Sequence, residues 1–434
     1  MPRRNLALLF AVAVISLMCY QRVQRNTYGR VLGDAIAKIE RSALEPVRPS
    51  QLFQAAMASM LGQLDEYSTY IRPADLQQFH EVIDQEFGGV GMEVGLDAKT
   101  RQLLVLCPLV NKPAYAAGIR AGDHILRIDD AATQGMSLGD AVGLLRGPPG
   151  SSVALMILHQ AQKDPVAVRI VRQVISVDTV LGDTRNADGS WNFFLAGPDR
   201  IGYVRITSFA DKTVEELQHA MKWLKEHGLR GLVLDLRDDP GGLLGAAVQT
   251  CDMFIDSGTI VTTRGRNRQV IEAYDASGKG TCTDFPMAVV INGNTASAAE
   301  IVAACLQDHH RAAVVGQRSF GKGTVQELID LENGCGAMKL TTASYWRPSG
   351  KNIHRLRNAK PSDQWGVKPN KGCRVVVKGE ELDKLRQWRF ARDMYKPDDA
   401  AKEPAEPVTD RQLARAVQAV EKEAATVPSA AKHP

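Results

Sequence analysis

The chain has 434 residues, 44% hydrophobic and 24% charged, which is room for about three domains of ~150 residues and too apolar for a disordered chain. Its 53 basic and 49 acidic side chains leave +4, and aromatics at 6% offer no stacking platform, so no nucleic-acid partner is expected. Seven cysteines without a CxxC pair and nine histidines without HExxH argue against a zinc ribbon, a redox site or a zinc protease, and no metal or other cofactor is called for. Spacing alone cannot pair Cys282 with Cys335, and that disulfide stays open.

Arg3 and Arg4 precede Leu6 to Tyr20, fifteen mostly apolar residues without a charge. A basic stretch ahead of a short apolar run reads as an export signal. As a helix it rises ~22 Å against a hydrocarbon core of ~30 Å, so flanking residues would help it span. No small-x-small cleavage site follows. The expectation for residues 1–27 is therefore an uncleaved membrane anchor and juxtamembrane segment, with the body extracytoplasmic, periplasmic where an outer membrane exists. Secretion after signal cleavage is the alternative.

Residues 28–84 read as helical. Phe53, Met57, Met60 and Leu64 recur at three- or four-residue steps, and Pro73 starts another helix. From Phe87 the texture changes to a β-rich module over 85–165. Gly88-Gly89-Val90-Gly91 leads into alternating apolar residues, Leu103 to Pro108 is strand-like, Ser137 caps a helix, and Val153 to Leu158 closes the module. An α/β core follows over 166–395. Strands at Ile201 to Ile206, Gly231 to Leu236, Met287 to Ile291 and Ala312 to Val315 alternate with helices after Thr213, Leu243 and Ala296, which implies a mixed or mostly parallel sheet. Residues 396–434 form a mobile tail rich in Pro, Ala and charge, with one short helix from Asp410 to Lys422.

Two loops of the core carry chemistry. Asn292 to Glu300 joins a buried strand to a helix, a turn that projects the Ser297 hydroxyl beside the N–H groups of the helix start. Gly316 to Thr324 comes close to a phosphate loop, but Gly323 stands where Ser or Thr would hold Mg²⁺. Lys322, flanked by glycines and near Phe320, can instead lie partly desolvated and take the serine proton. Gln326 is placed to orient it, and Pro240-Gly241-Gly242 offers backbone N–H donors for an oxyanion.

These segments resemble the C-terminal processing (tail-specific) serine peptidases. The likeness rests on Leu64 to Tyr70, Phe87 to Gly91, Leu236 to Leu243, Asn292 to Glu300, Gly316 to Gln326 and Arg347 to Gly350. It implies Ser297 as nucleophile, Lys322 as general base, Gln326 as the lysine's partner, and Ala298 with Gly241 or Gly242 as oxyanion donors. Asp239 departs from the family's usual asparagine and adds a negative charge near the oxyanion loop. Thr295 and Ala299 replace serines that often flank the nucleophile. The β-rich module resembles a PDZ domain. Gly89, Val90, Gly91 and Met92 would hold a peptide's terminal carboxylate, and the helix face of Leu138, Val142 and Leu145 would line its apolar pocket.

The expected molecule is a multidomain α/β protein: an N-terminal helical segment, an inserted PDZ-like module, a mixed-sheet Ser-Lys protease core and a mobile C-terminal tail. It binds apolar C-terminal tails of protein or peptide substrates and cleaves peptide bonds. A catalytically silent tail-binding scaffold is one alternative, and a P-loop nucleotide hydrolase a second. The sequence names neither a homo-oligomer nor an activating partner, and both stay open.

Overall fold

The computed structural model describes residues 5, 10, 12–16, 27–97, 100–160, 162–186, 188–393 and 408–426. Most of the expected anchor, Leu6 to Tyr20, lies outside the described residues. Among those described, no helix is long and apolar enough to cross a membrane. The chain forms two units, residues 1–76 with 326–341, and residues 77–325 with 342–434.

In the first unit, helices Thr27–Ser42 and Pro49–Gly62 precede strand Thr69–Ile71, which pairs antiparallel with residues 337–339. The expected apolar face of the second helix shifts. Met57 and Leu61, four residues apart, are buried, whereas Met60 and Leu64 are exposed. Pro73 opens a short 3₁₀ turn, Pro73–Asp75, ahead of the helix Leu76–Asp84.

The β-rich module belongs to the second unit. Its strands Met92–Leu96, Leu103–Pro108, His124–Ile128, Ser152–Leu158 and Val166–Val171 pair antiparallel in that order, over a core that includes Leu103, Val105, Ile125 and Ile157. Ser137 caps helix Leu138–Leu145 by accepting the Asp140 N–H at 3.2 Å. The expected boundary at 165 falls inside this sheet and is corrected. Val166–Val171 pairs with Ser152–Leu158, and Gln173–Ser176 pairs with Glu86–Gly89, so the module closes on its own first strand near residue 176.

The core is a five-stranded sheet of β1 (Val180–Leu181), β2 (Ile201–Ile206), β3 (Gly231–Asp235), β4 (Met287–Ile291) and β5 (Ala313–Gly316), in sequence order. β1 runs antiparallel to β2, and β2 through β5 are parallel. Side chains alternate across the pleat. Leu232, Leu234, Val289 and Ile291 join a core with helices α1 (Thr213–Glu226), α2 (Leu244–Asp252) and α3 (Ala298–Asp308). Tyr203, Val233, Ala288 and Val290 face the other way, against Ala416 and Val420. Those two belong to α5 (Arg411–Thr426), which follows α4 (Glu380–Asp393). The segment read as a short helix in a mobile tail thus supplies a structural layer that covers the second face of the sheet.

Candidate active site

Parallel strands deliver their C-terminal ends to one edge, and the candidate residues gather there. After β4, Thr295 Oγ1 accepts the Asn292 N–H at 3.0 Å and donates to the Leu236 carbonyl beyond β3 at 2.7 Å. Asn292 Oδ1 accepts the Asp238 N–H, and the Ala296 N–H reaches the Asp239 carbonyl at 2.9 Å. These bonds lace the serine loop to the Pro240-Gly241-Gly242 loop.

Ser297 follows with φ 56° and ψ −118° and is 6% exposed. A non-glycine residue there stores about 1–3 kcal/mol of strain. The same torsions exclude Ser297 from the helix, so α3 starts at Ala298 rather than at the expected Ala296. As the first residue of α3, Ala298 carries an N–H with no helical acceptor behind it.

One residue absent from the sequence-based assignment organises the site. Glu300, fully buried in the first turn of α3, accepts through Oε2 from the Ser297 N–H at 2.9 Å and the Lys322 N–H at 2.8 Å. Its Oε1 accepts from the Gly321 N–H at 2.7 Å and from the Ser319 hydroxyl. Burial pushes this carboxyl up to about 7, against the four hydrogen bonds that favour its charged form. The signal was in the sequence, because Ser-x-x-Glu before an apolar run is a capping-box pattern.

Lys322 is half-buried. A Cβ on Gly323 would lie 2.2 Å from the His354 nitrogen, so the glycine after the lysine lets the 353–355 segment approach. The Phe320 N–H bonds the Thr295 carbonyl at 2.9 Å, joining this loop directly to the serine loop. The Phe320 ring, expected to shield the lysine, is itself exposed. The P-loop alternative is overturned here. A strand, Thr324–Asp330, follows the loop instead of a helix, and Gly321 and Lys322 donate their N–H groups to Glu300 rather than leaving them for phosphate.

Gly241 has φ 94°, and a Cβ there would fall 2.7 Å from Ser297 Cβ and 2.8 Å from the Ala298 nitrogen. Its backbone packs directly on the serine turn. Its N–H, however, is donated to Asp239 Oδ1 at 2.7 Å. Gly242 bridges to Phe209 in the loop after β2. Gln326 belongs to the first unit, where its amide donates to Thr341 Oγ1 at 3.4 Å. Thr341 in turn donates to Asp65, which also accepts from the Tyr67 and Ser68 N–H groups and the Ser68 hydroxyl.

In the β-rich module a cavity of about 330 Å³ is lined by Gly89, Val90, Gly91, Met92, Val142 and Leu145, with Phe390 of α4 also on its wall. Leu138 is outside it and exposed. Strand Met92–Leu96 is an edge strand of its sheet, open to pairing with an added chain. Cys282 and Cys335 are both free thiols.

Residues 200–370 match peptidase family S41, and residues 105–158 match the PDZ domain. The carboxy-terminal-processing protease of Bartonella bacilliformis is 37% identical over 340 residues, 77% of this chain and 74% of that protein. The carboxyl-terminal-processing protease of Synechocystis sp. is 36% identical over 321 residues, 73% of this chain and 72% of that protein. The solved photosystem II D1 C-terminal processing protease is 28% identical, with a TM-score of 0.46 over 87% of this chain and 99% of that one. A buried Glu300 joins the serine and lysine loops, and with the two family matches and the two relatives at 37% and 36% identity the chain belongs to the carboxy-terminal processing serine proteases of family S41, with a PDZ domain.

Proposed function

We propose that this protease captures protein substrates by apolar C-terminal tails in the PDZ groove and cuts them with Ser297 and Lys322. The observation that supports the pairing most is that both residues donate their backbone N–H to one buried oxygen, Glu300 Oε2. Lys322 Nζ, in its neutral form, takes the proton as Ser297 Oγ bonds to the scissile carbonyl carbon. Breakdown of the tetrahedral adduct breaks the C–N bond, and the lysine returns the proton to the leaving amine. Water, deprotonated by the same amine, then hydrolyses the acyl-serine. The Ala298 N–H and an N–H of the Gly241-Gly242 pair stabilise the oxyanion. Residues 6–20 hold the enzyme to the membrane with its body extracytoplasmic, a reading supported by Arg3, Arg4 and the uncharged run that follows.

The test is cleavage of an unfolded reporter with an apolar tail by the full chain. Ser297→Ala and Lys322→Ala should each abolish turnover, and the double variant should lose no more, since the pair acts as one unit. Wild-type turnover by either single variant overturns the assignment. Amidating the tail should weaken capture roughly tenfold or more, through loss of a charge-assisted bond to the carboxylate.

A further inference from the structure

The oxyanion loop contains a carboxyl group that the scheme above does not use. Asp239 is completely buried. Its carbonyl ties it to Ala296, one residue before the serine, and its Oδ1 takes the Gly241 N–H at 2.7 Å. Its Oδ2 is buried, with no hydrogen-bond partner among the described residues. Gly241 is the residue whose backbone packs on Ser297, so an N–H beside the nucleophile is committed to a carboxyl group.

Arg237, Asp238 and Glu300, on the adjoining segments, are already engaged. Arg237 pairs with Asp235 and Asp410. Asp238 takes hydrogen bonds from Arg386 and Asn294. Glu300 holds four donors on the serine and lysine loops, and Lys322 stands on the facing loop with its own N–H on Glu300. Burial raises the Asp239 pKa well above the usual carboxylate range, against the single Gly241 N–H. A neutral carboxyl accepts that N–H weakly and adds no charge. A carboxylate accepts it strongly and places a full negative charge where an oxyanion must develop.

We infer that Asp239 is a positioning residue that switches the oxyanion loop: as the neutral acid it shapes the Gly241 turn and yields its N–H to the developing oxyanion, and as the carboxylate it withholds that N–H and repels the charge. The inference rests on the reading of Ser297 as nucleophile.

The experiment measures kcat and KM of the full chain on the apolar-tailed reporter between about pH 5.5 and 9.5. Wild type, Asp239→Asn, Asp239→Ala and Ser297→Ala are compared. Glu300 must be ionised to hold the serine and lysine loops, which makes the wild-type rate rise with pH. Asp239 ionisation then makes it fall. Asp239→Asn should keep the rising limb, lose the falling one and exceed wild type by about tenfold at the alkaline end, with KM little changed. Asp239→Ala, lacking the acceptor that shapes the turn, should lower kcat at every pH and also lack the falling limb. Wild-type and Asp239→Asn profiles of one shape, or an inactive Asp239→Asn, overturn the inference. Should Ser297→Ala remain active, the nucleophile assignment itself fails, a result separate from either of those.

Discussion

Glu300 places activity and stability in opposition. Its four partners all donate in this arrangement, so the carboxylate satisfies them all, while the protonated acid must turn the Ser319 hydroxyl from donor to acceptor and weakens its hold on the three N–H groups. The catalytic rate should therefore fall as pH drops below about 7. Stability runs the other way. A carboxyl raised from 4.5 to about 7 contributes stability that is full below 4.5 and lost as pH rises through about 7, at most about 3 kcal/mol. Glu300→Gln should lower kcat by ~10–100-fold at alkaline pH, because one oxygen becomes an NH₂ facing N–H donors, with KM little changed. Its unfolding free energy should not show that loss between pH 4.5 and 7, which chemical denaturation at a series of pH values would check.

At the scale of elements, α4 shows where sequence patterning stops being informative. The parallel strands were legible because they are continuous apolar runs, and Ser137 was legible because a cap has a local signature. α4 was not. Its packed side is held not by an apolar stripe but by ion pairs, Arg389 and Arg392 to Asp183 and Asp393 to Arg205, with Arg386 reaching Asp238 at the surface. Their partners lie far away in sequence, and a charged run reads by default as a solvated face. Asp239 was legible as a charge near the oxyanion loop, but its hold on the Gly241 N–H is a torsional fact that no spacing reveals. The same helix carries Phe390, 44% exposed, onto the wall of the tail groove. An apolar tail that fills the groove would bury part of that ring. Phe390→Asp should weaken binding of an apolar-tailed peptide by about tenfold, while Phe390→Leu should largely preserve it. Fluorescence anisotropy on the Ser297→Ala background reads this without cleavage.

At the scale of the whole molecule, one ionic chain joins the sheet to α5. Arg237, just past β3, donates to Asp235 within the sheet and to Asp410 before α5, and all three side chains are almost fully buried. Burial alone would raise the Asp235 pKa, but the Arg237 charge and its hydrogen bonds bring it to about 2. Removing one member leaves the others charged and under-compensated. Asp410→Ala should cost ~3–5 kcal/mol of stability, read from urea unfolding, although Asp410 touches no residue assigned to cleavage. A loss below about 1 kcal/mol would show that water replaces Asp410 without difficulty.

Arg237 and Asp410 are 173 residues apart, so β3 leaves the ribosome well before its covering helix exists. At ~5–20 residues per second, that interval is roughly 9–35 s. Throughout it, Tyr203 and Val233 lack the helix that covers their face of the sheet, and Arg237 has only half its final carboxylate complement. The nascent chain is thus exposed to aggregation for a time set by translation speed. The same delay postpones completion of the protease core until α5 has been made, so a nascent or prematurely terminated chain lacks the layer that finishes its sheet.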